Sequence, residues 1–264
     1  QSHLYTQFDK DPAPVVDFLN WISQVYELPA VPRILDVGCG PGRMLSALAA
    51  QGWKVHGLEP DADFYNSAIQ VAQEHTHIQV ERGGFSELDS VRAYDVVAAI
   101  NNPFAYLLSV DERVDALTRI YRALRPGGVM FLELTNFLYK LWEYEDCTTE
   151  VNIIDGKKVI HNMHHEVDFF HGRWVHHDEY IIEGQPNPIR KTHVLAIFPL
   201  PEVLYFLNRI GFRDVRTFAS YQSRSHETPN GKTILITARK PLMLHEELEK
   251  PLPRKAHAGT RIRR

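Results

Sequence analysis

The sequence predicts an α/β fold, in which a sheet carries helices on both faces and an antiparallel β segment is inserted late in the chain. Between residues 30 and 135, short apolar runs alternate with stretches of helical period, which is the pattern of a parallel sheet. Residues 136–198 contain extended segments joined by turn dipeptides, which indicates a small antiparallel sheet. We therefore divide the chain into residues 1–135, the insertion at 136–198, the remaining α/β part at 199–240 and a basic tail at 241–264.

The composition is that of an ordinary globular protein. Of the 264 residues, 44% are hydrophobic and 23% are charged, which is enough to bury the core of one α/β domain with an insertion. The formal net charge of −4 argues against a nucleic-acid-binding surface over most of the molecule. We interpret the basic tail as a solvated extension.

Cysteine usage and apolar runs bear on the location of the protein. Cys39 and Cys147 are the two cysteines, and they form neither a disulfide framework nor a zinc-type spacing. No apolar run approaches the length of a membrane span, and we expect no secretory signal. We therefore expect a cytoplasmic protein without a membrane or nucleic-acid partner, and the oligomeric state stays open.

The first strand ends in a glycine-rich turn. Gly38, Gly40 and Gly42 follow Asp36 at alternate positions, and a helical pattern comes next. Glycine adopts backbone conformations closed to other residues and lets a ligand lie against the free N–H groups of a helix start. The spacing differs from the G-x-G-x-x-G of dinucleotide-binding turns. The turn therefore predicts a ligand site, and a tight strand–helix connection without a ligand is the alternative.

The second and fourth predicted strands also end at polar residues, Glu59 and Asn101. In open parallel sheets, ligands bind at the carboxyl ends of the strands, so both residues should face the glycine turn. The fifth strand follows the run Leu-Arg-Pro-Gly-Gly at residues 124–128. After the insertion, a helix and two paired strands are expected to complete the main sheet.

These four landmarks together resemble the class I S-adenosylmethionine-dependent methyltransferases over residues 30–135. The insertion is similar to that of the small-molecule branch, notably the amino-sugar N,N-dimethyltransferases, in which an antiparallel lid sheet encloses the substrate. The resemblance implies a Rossmann-like seven-stranded sheet and S-adenosyl-L-methionine as cofactor, with Glu59 binding the ribose. The cofactor-binding residues that it implies are Tyr5, Asp36, Gly38, Gly40, Glu59, Pro60, Phe85 and Asn101.

Two departures from the family pattern are visible. Where Gly84 stands, family members commonly have an Asp that accepts a hydrogen bond from the adenine amine, and here Glu87 or Asp89 would have to substitute. Residues 101–104 differ at Asn102 from the Asn-Pro-Pro-Tyr/Phe motif of methyltransferases that modify amino groups of bases or glutamine. Modification of a base or of glutamine therefore stays an alternative.

Six of the fourteen histidines lie between His161 and His177. Strand alternation predicts that His161 and His165 share one face, whereas His164 projects from the other face with Glu166. Three interpretations stay open: a half-exposed polar sheet, a general base or substrate contact, and a metal site, for which the spacing is not diagnostic. We predict no metal, proton-transfer candidates His164, His165 and Tyr180, and acceptor-pocket residues Tyr106, Trp142 and His161.

The predicted activity is transfer of the sulfonium methyl group of S-adenosylmethionine to a nitrogen or oxygen atom of a small molecule. The alternatives are a methyltransferase that acts on protein or nucleic acid, and a subunit that binds S-adenosylmethionine without transfer. A lid sheet that closes over the site would exclude a polymer, and a turnover assay would distinguish transfer from binding alone.

Overall fold

The computed structural model describes residues 11–154 and 156–242. Its central sheet contains seven strands: β1 (Arg33–Val37), β2 (Lys54–Glu59), β3 (Ile78–Arg82), β4 (Tyr94–Ala99), β5 (Leu124–Thr135), β10 (Arg213–Phe218) and β11 (Thr233–Arg239). A second sheet, the lid sheet, contains β6 (Cys147–Ile154), β7 (Lys157–Asp168), β8 (Arg173–Ile182) and β9 (Ile189–Ala196).

Helices connect these strands in the predicted alternation. The α-helices are α1 (Ala13–Val25), α2 (Arg43–Ala49), α3 (Ala62–Gln73), α4 (Val110–Ala123), α5 (Phe137–Trp142) and α6 (Leu200–Ile210), and two 3₁₀ turns span Phe85–Glu87 and Pro103–Tyr106. Within the described residues, no helix combines the length and apolar character that a membrane crossing requires.

The central sheet has the order β10-β11-β5-β4-β1-β2-β3. Strands β1 to β5 are parallel, and β11 pairs antiparallel with both β5 and β10. Strand β4 is buried along its whole length, as expected of a central parallel strand. Leu35 and Val37 of β1 pack into one hydrophobic cluster and Ile34 into another, because alternate side chains leave opposite faces of the sheet. The predicted α/β fold with helices on both faces is confirmed.

Strand β5 begins earlier than the sequence predicts. We expected the run Arg125 to Gly128 to lead into the strand, but Leu124 already pairs with Tyr94, and the register shifts before Val96 pairs with Val129. Gly127 has a φ of +81°, so the glycine pair forms an irregularity within the strand. Strand β5 therefore pairs with β4 on both sides of this irregularity.

The lid sheet is antiparallel throughout, in the order β6-β7-β8-β9, which confirms the predicted inserted sheet. Asp155, which connects β6 to β7, lies outside the described residues. One face of the lid sheet is directed at the carboxyl ends of β1 and β4. Lys191 of β9 places its Nζ 5.1 Å from the centre of the Phe64 ring on α3, and Tyr106 contacts His193 of β9.

Candidate functional site

The glycine turn between β1 and α2 forms the floor of a cleft. Gly38, Gly40 and Gly42 have φ values of +78°, +58° and +96°. A Cβ on Gly38 would lie 2.6 Å from the Pro103 Cβ, so only glycine allows the turn after β4 to pack here. A Cβ on Gly40 would meet no atom of the described residues within 4 Å, since the backbone of Gly40 faces the open cleft.

Glu59 ties the end of β2 to this turn. One carboxylate oxygen, Oε2, accepts a hydrogen bond from the Gly40 N–H at 2.7 Å, and Oε1 accepts one from the Asp61 N–H at 2.8 Å. The side chain is buried, and burial raises the pKa of Glu59, while the two backbone hydrogen bonds lower it. Each oxygen keeps a second lone pair, so the carboxylate can still accept hydrogen bonds from a ligand.

Asp36, at the end of β1, is a buried carboxylate with incomplete hydrogen bonding. Its Oδ1 atom has no hydrogen-bond partner among the described residues. Burial, together with the negative charges of Glu59 and Glu133, raises the pKa of Asp36 to about 7. A cationic or hydrogen-bond-donating ligand in the cleft would stabilise the ionised form.

Glu133 holds the turn after β4 in place. Its Oε2 atom accepts hydrogen bonds from the Asn101 N–H at 2.7 Å and from the Tyr221 hydroxyl at 2.6 Å. Asn101 and the following Asn102 both have left-handed backbones, with φ values of +64° and +65°. Asparagine tolerates this conformation better than most residues, and Asn102 Oδ1 accepts a hydrogen bond from the Thr135 N–H at 3.1 Å.

The far end of the cleft is formed by the 3₁₀ turn after β3. Phe85 is buried there, and Pro60 lines the same wall. Glu87 also lines the cleft, where its Oε2 accepts a hydrogen bond from the Gly84 N–H at 2.7 Å. This bond and the one from Ser86 lower the pKa of Glu87, so its carboxylate is ionised at neutral pH.

Two cavities open from the cleft. The cofactor cavity has a volume of about 470 Å³ and is lined by the glycine turn, Glu59 and the Phe85–Glu87 turn. The acceptor cavity, of about 610 Å³, lies between the carboxyl ends of the central strands and the lid sheet. Both cavities are bordered by the same five residues, Arg43, Ile100, Asn101, Tyr106 and His193. Ligands bound in either cavity can therefore contact these five residues.

A network of histidines around Asp178 lines the acceptor cavity. Asp178 Oδ1 lies 2.6 Å from His161 Nε2 and 2.8 Å from His176 Nε2, and Oδ2 lies 3.6 Å from His193 Nε2. The Tyr106 hydroxyl lies 2.7 Å from His193 Nδ1. Burial favours a higher pKa for Asp178, but the hydrogen bonds from His176 and His161 outweigh it and the pKa is lowered. Burial lowers the pKa of His193, which is therefore neutral at pH 7.

The structure brings most of the predicted residues to these two cavities. Asp36, Gly38, Gly40, Glu59, Pro60, Phe85 and Asn101 line the cofactor cavity, and Tyr106, His161 and Tyr180 line the acceptor cavity. The His161 and Tyr180 rings are stacked 4.2 Å apart. Tyr5 lies outside the described residues.

Three predicted residues lie elsewhere. His164 projects from the outer face of the lid sheet, 3.4 Å from Glu166, as the strand alternation predicts. His165 and Trp142 line a separate cavity near α5, and the Trp142 side chain is 79% exposed. The lid sheet extends beyond the acceptor cavity, and side chains nearer its β6 edge line the separate cavity instead. None of these three residues lines the cofactor cavity or the acceptor cavity.

Sequence reasoning missed His193, His176 and Asp178. The strand register explains their position, because His165 pairs with His176 and His176 pairs with His193 across the lid sheet. Period-two alternation along β8 and β9 would have placed all three on the inner face, but the pairing of β8 with β9 was needed to bring them together. Among the described residues, no group of three or more His, Cys, Asp or Glu side chains has a geometry suited to a metal ion.

The cofactor cavity fits the group that the sequence resemblance implies. Asp36 Oδ1 is buried without a partner among the described residues, and the space above Gly40 is open. Three carboxylates, those of Asp36, Glu59 and Glu133, lie near one another, which suits a cationic sulfonium and its ammonium group. Glu59 offers lone pairs to hydroxyl groups.

A family of methyltransferase domains matches residues 34–128 of the chain. Among curated proteins, the chain is 27% identical over 215 residues to dTDP-4-amino-2,3,4,6-tetradeoxy-D-glucose N,N-dimethyltransferase of Saccharopolyspora spinosa, and the match covers 80% of each chain. It is 23% identical to glycine/sarcosine N-methyltransferase of Aphanothece halophytica, over 74% of this chain and 71% of that protein.

Solved structures share the fold. An S-adenosylmethionine-dependent methyltransferase from Clostridium acetobutylicum superposes with a TM-score of 0.77 at 13% identity, covering 89% of this chain and 94% of its own. The amino pentose methyltransferase CalS10 from Micromonospora echinaspora, solved with its S-adenosylmethionine bound, superposes with a TM-score of 0.73 at 18% identity, covering 90% and 94%. At these identities the likeness establishes the architecture.

Proposed function

The chain is a methyltransferase, with the domain of that family at residues 34–128, and we propose that it transfers the methyl group of S-adenosylmethionine to a nitrogen or oxygen atom of a small molecule. One observation carries the proposal. The cofactor cavity and the acceptor cavity meet at Arg43, Ile100, Asn101, Tyr106 and His193, where donor and acceptor atoms would approach each other. Holding two reactants in line is the main contribution that a protein makes to such a transfer.

In this proposal the cofactor cavity is divided by function. Glu59 accepts hydrogen bonds from the ribose hydroxyls, Phe85 and Pro60 form the apolar wall for the adenine, and Gly38 and Gly40 give the backbone clearance. Bound S-adenosylmethionine supplies a methyl group that its positive sulfur has already activated. Asp36 accepts a hydrogen bond from the amino-acid end through its buried carboxylate.

Glu87 takes the place of the acid that the family usually has at the position of Gly84. Glu87 lines the cofactor cavity, whereas Asp89 forms an ion pair of 2.7 Å with Arg119. The Gly84 and Ser86 hydrogen bonds hold the Glu87 carboxylate at the adenine end, ionised and able to accept from an amine. Between the two substitutes that the sequence offers, the geometry favours Glu87.

The lid sheet supports a small acceptor over a polymer. Lys191 and His193 contact α3 and the turn after β4, so the inner face of β9 lies over the cleft. A cavity of about 610 Å³ has the size of a small-molecule site. The relative from Saccharopolyspora spinosa is named for dimethylation of an amino sugar, which makes sugar amines the first acceptors to test.

The experiment is an assay of S-adenosylhomocysteine release with amino sugars, small aliphatic amines and phenols as acceptors, run beside transfer RNA and unfolded protein. Turnover with a small molecule and none with either polymer is the expected result. Turnover with a polymer alone would support the macromolecular alternative. Binding of S-adenosylmethionine without transfer to any acceptor would favour a non-catalytic subunit.

We also propose a cytoplasmic location. Cys39 and Cys147 are free thiols, and Cys147 is exposed, which suits a reducing compartment. The net charge of −4 is consistent with a protein that binds small molecules rather than nucleic acid.

A further inference from the structure

Resting on the proposed function, we infer that Tyr106 and His193 form the proton acceptor for the methyl-accepting group, with Asp178 positioning the imidazole. The five residues that border both cavities decide where such a group can stand. Of these five, His193 alone has a side chain that titrates near neutral pH. The proton acceptor therefore comes from β9 and the turn after β4.

Two neighbours give His193 a preferred orientation. The Oδ2 atom of Asp178 lies 3.6 Å from Nε2, which is too far for a hydrogen bond but close enough for the negative charge to favour a proton on Nε2. Nδ1 then accepts the hydrogen bond from the Tyr106 hydroxyl, 2.7 Å away. Tyr106 lines both cavities, so its phenol oxygen is within reach of a group held between them.

The two carboxylate oxygens of Asp178 lie next to different histidines. Its Oδ1 atom receives hydrogen bonds from His161 and His176, which leaves Oδ2 for His193. When His193 takes up a proton, the 3.6 Å separation becomes an ion pair in a partly buried site. Asp178 therefore stabilises the charged imidazole without itself reaching the acceptor.

Methyl transfer is coupled to the movement of two protons. The acceptor nitrogen or oxygen forms a bond to the methyl carbon, and the carbon–sulfur bond breaks with its electron pair left on sulfur. The acceptor's proton passes to the Tyr106 oxygen, and the phenol proton passes to Nδ1 of His193, which becomes an imidazolium. Proton release to solvent then restores the neutral pair.

The charged groups around His193 set its titration. From β8, Asp178 favours the charged imidazole and His176 opposes it, and Lys191, on β9 with His193, also opposes it. Tyr106 contacts the imidazole from the turn after β4, while Arg43 of α2 and Glu133 of β5 line the acceptor cavity. Burial is the largest influence and keeps the pKa of His193 below its ordinary value, so a neutral base is present at pH 7.

Nuclear magnetic resonance spectra of the histidine ring nitrogens test the inferred proton acceptor without a methyl-accepting substrate. They are recorded on the whole chain between pH 5 and pH 9. His193→Gln assigns the His193 signals. We expect a neutral ring at pH 7 with Nδ1 unprotonated, a changed Nδ1 shift in Tyr106→Phe, and a lower titration midpoint in Asp178→Asn. His177→Gln, on the outer face of the neighbouring strand β8, should leave the His193 signals unchanged. A ring that is charged at pH 7, or one indifferent to both Tyr106→Phe and Asp178→Asn, would overturn the inference.

Kinetics provide the second readout. By calorimetry, His193→Gln should still bind S-adenosylmethionine, while its methyl transfer at saturating cofactor falls by about 10²- to 10⁴-fold and loses the acidic limb of its pH profile. His177→Gln should match wild type in both. Wild-type transfer by His193→Gln would contradict the inference but leave the proposed function standing. Failure of the wild type to bind S-adenosylmethionine would instead refute the proposed function.

Discussion

At the scale of single residues, the buried carboxylate of Asp36 sets the pH response of the cleft. The folded protein raises the pKa of this group to about 7, from 3.8. Between these two values the folded chain keeps a proton that the unfolded chain has lost. Linkage then requires that this group makes the folded state less stable as pH rises through that interval.

We predict that Asp36→Asn flattens this dependence. In wild type, the Asp36 contribution to the free energy of unfolding should fall by up to roughly 4 kcal/mol between pH 4 and pH 7. Urea unfolding across that range measures it, with Asp89→Asn, an exposed carboxylate paired with Arg119, as the control. Parallel curves for wild type and Asp36→Asn would contradict a raised pKa at Asp36.

Glu87 provides a second test at this scale. If its carboxylate accepts the adenine amine, Glu87→Gln should weaken S-adenosylmethionine binding about tenfold, the effect of one charged hydrogen bond. Asp89→Asn should bind like wild type, because Asp89 faces Arg119 rather than the cavity. Equal losses in both variants would show that the effect is general to the loop and would remove the assignment of Glu87.

At the scale of elements, the glycine turn and the turn after β4 support each other. Gly38 packs against Pro103, and Asn101 donates to Glu133 of β5. Three strand ends are thereby fixed relative to one another before any ligand arrives. Preorganisation of this kind lowers the ordering cost of binding.

Alanine at two of the glycines should separate folding from binding. Gly38→Ala combines a φ of +78° with a Cβ only 2.6 Å from the Pro103 Cβ, so we expect a loss of about 2–4 kcal/mol in unfolding free energy. Gly40→Ala meets no described atom, so it should lose about 1–2 kcal/mol, the cost of its φ of +58°, yet bind S-adenosylmethionine far more weakly. Chemical denaturation and calorimetry measure the two effects. Gly40→Ala with wild-type affinity would show that the cofactor does not lie against this backbone.

The elements also show what sequence can and cannot predict. The strand ends at Asp36, Glu59 and Asn101 were predictable, because parallel topology brings the carboxyl ends of strands to one edge. The proton network was not, since His193 belongs to a strand whose partner and register are set by long-range pairing. His165 illustrates the same limit, because alternation assigns it to the inner face of the lid sheet but does not tell whether that part of the face covers the cleft.

At the scale of the whole molecule, the site exists because two sheets meet. The central sheet supplies the carboxylates and the glycine turn, and the lid sheet supplies His161, His176 and His193 together with Asp178. The lid sheet covers one edge of the central sheet, where the cofactor cavity and the acceptor cavity join. Under the proposed function, this division would give cofactor binding chiefly to residues 34–128 and acceptor choice to the lid.

The most direct test of this account is calorimetric titration of the protein with S-adenosylmethionine and with S-adenosylhomocysteine. Glu59→Gln keeps the shape of the side chain but removes the charge, and Glu81→Gln, an exposed acid on β3, serves as the matched control. The account predicts binding of both ligands by wild type and by Glu81→Gln, and a loss of at least tenfold in Glu59→Gln. No binding of either ligand to wild type, or equal affinity in Glu59→Gln, would contradict it.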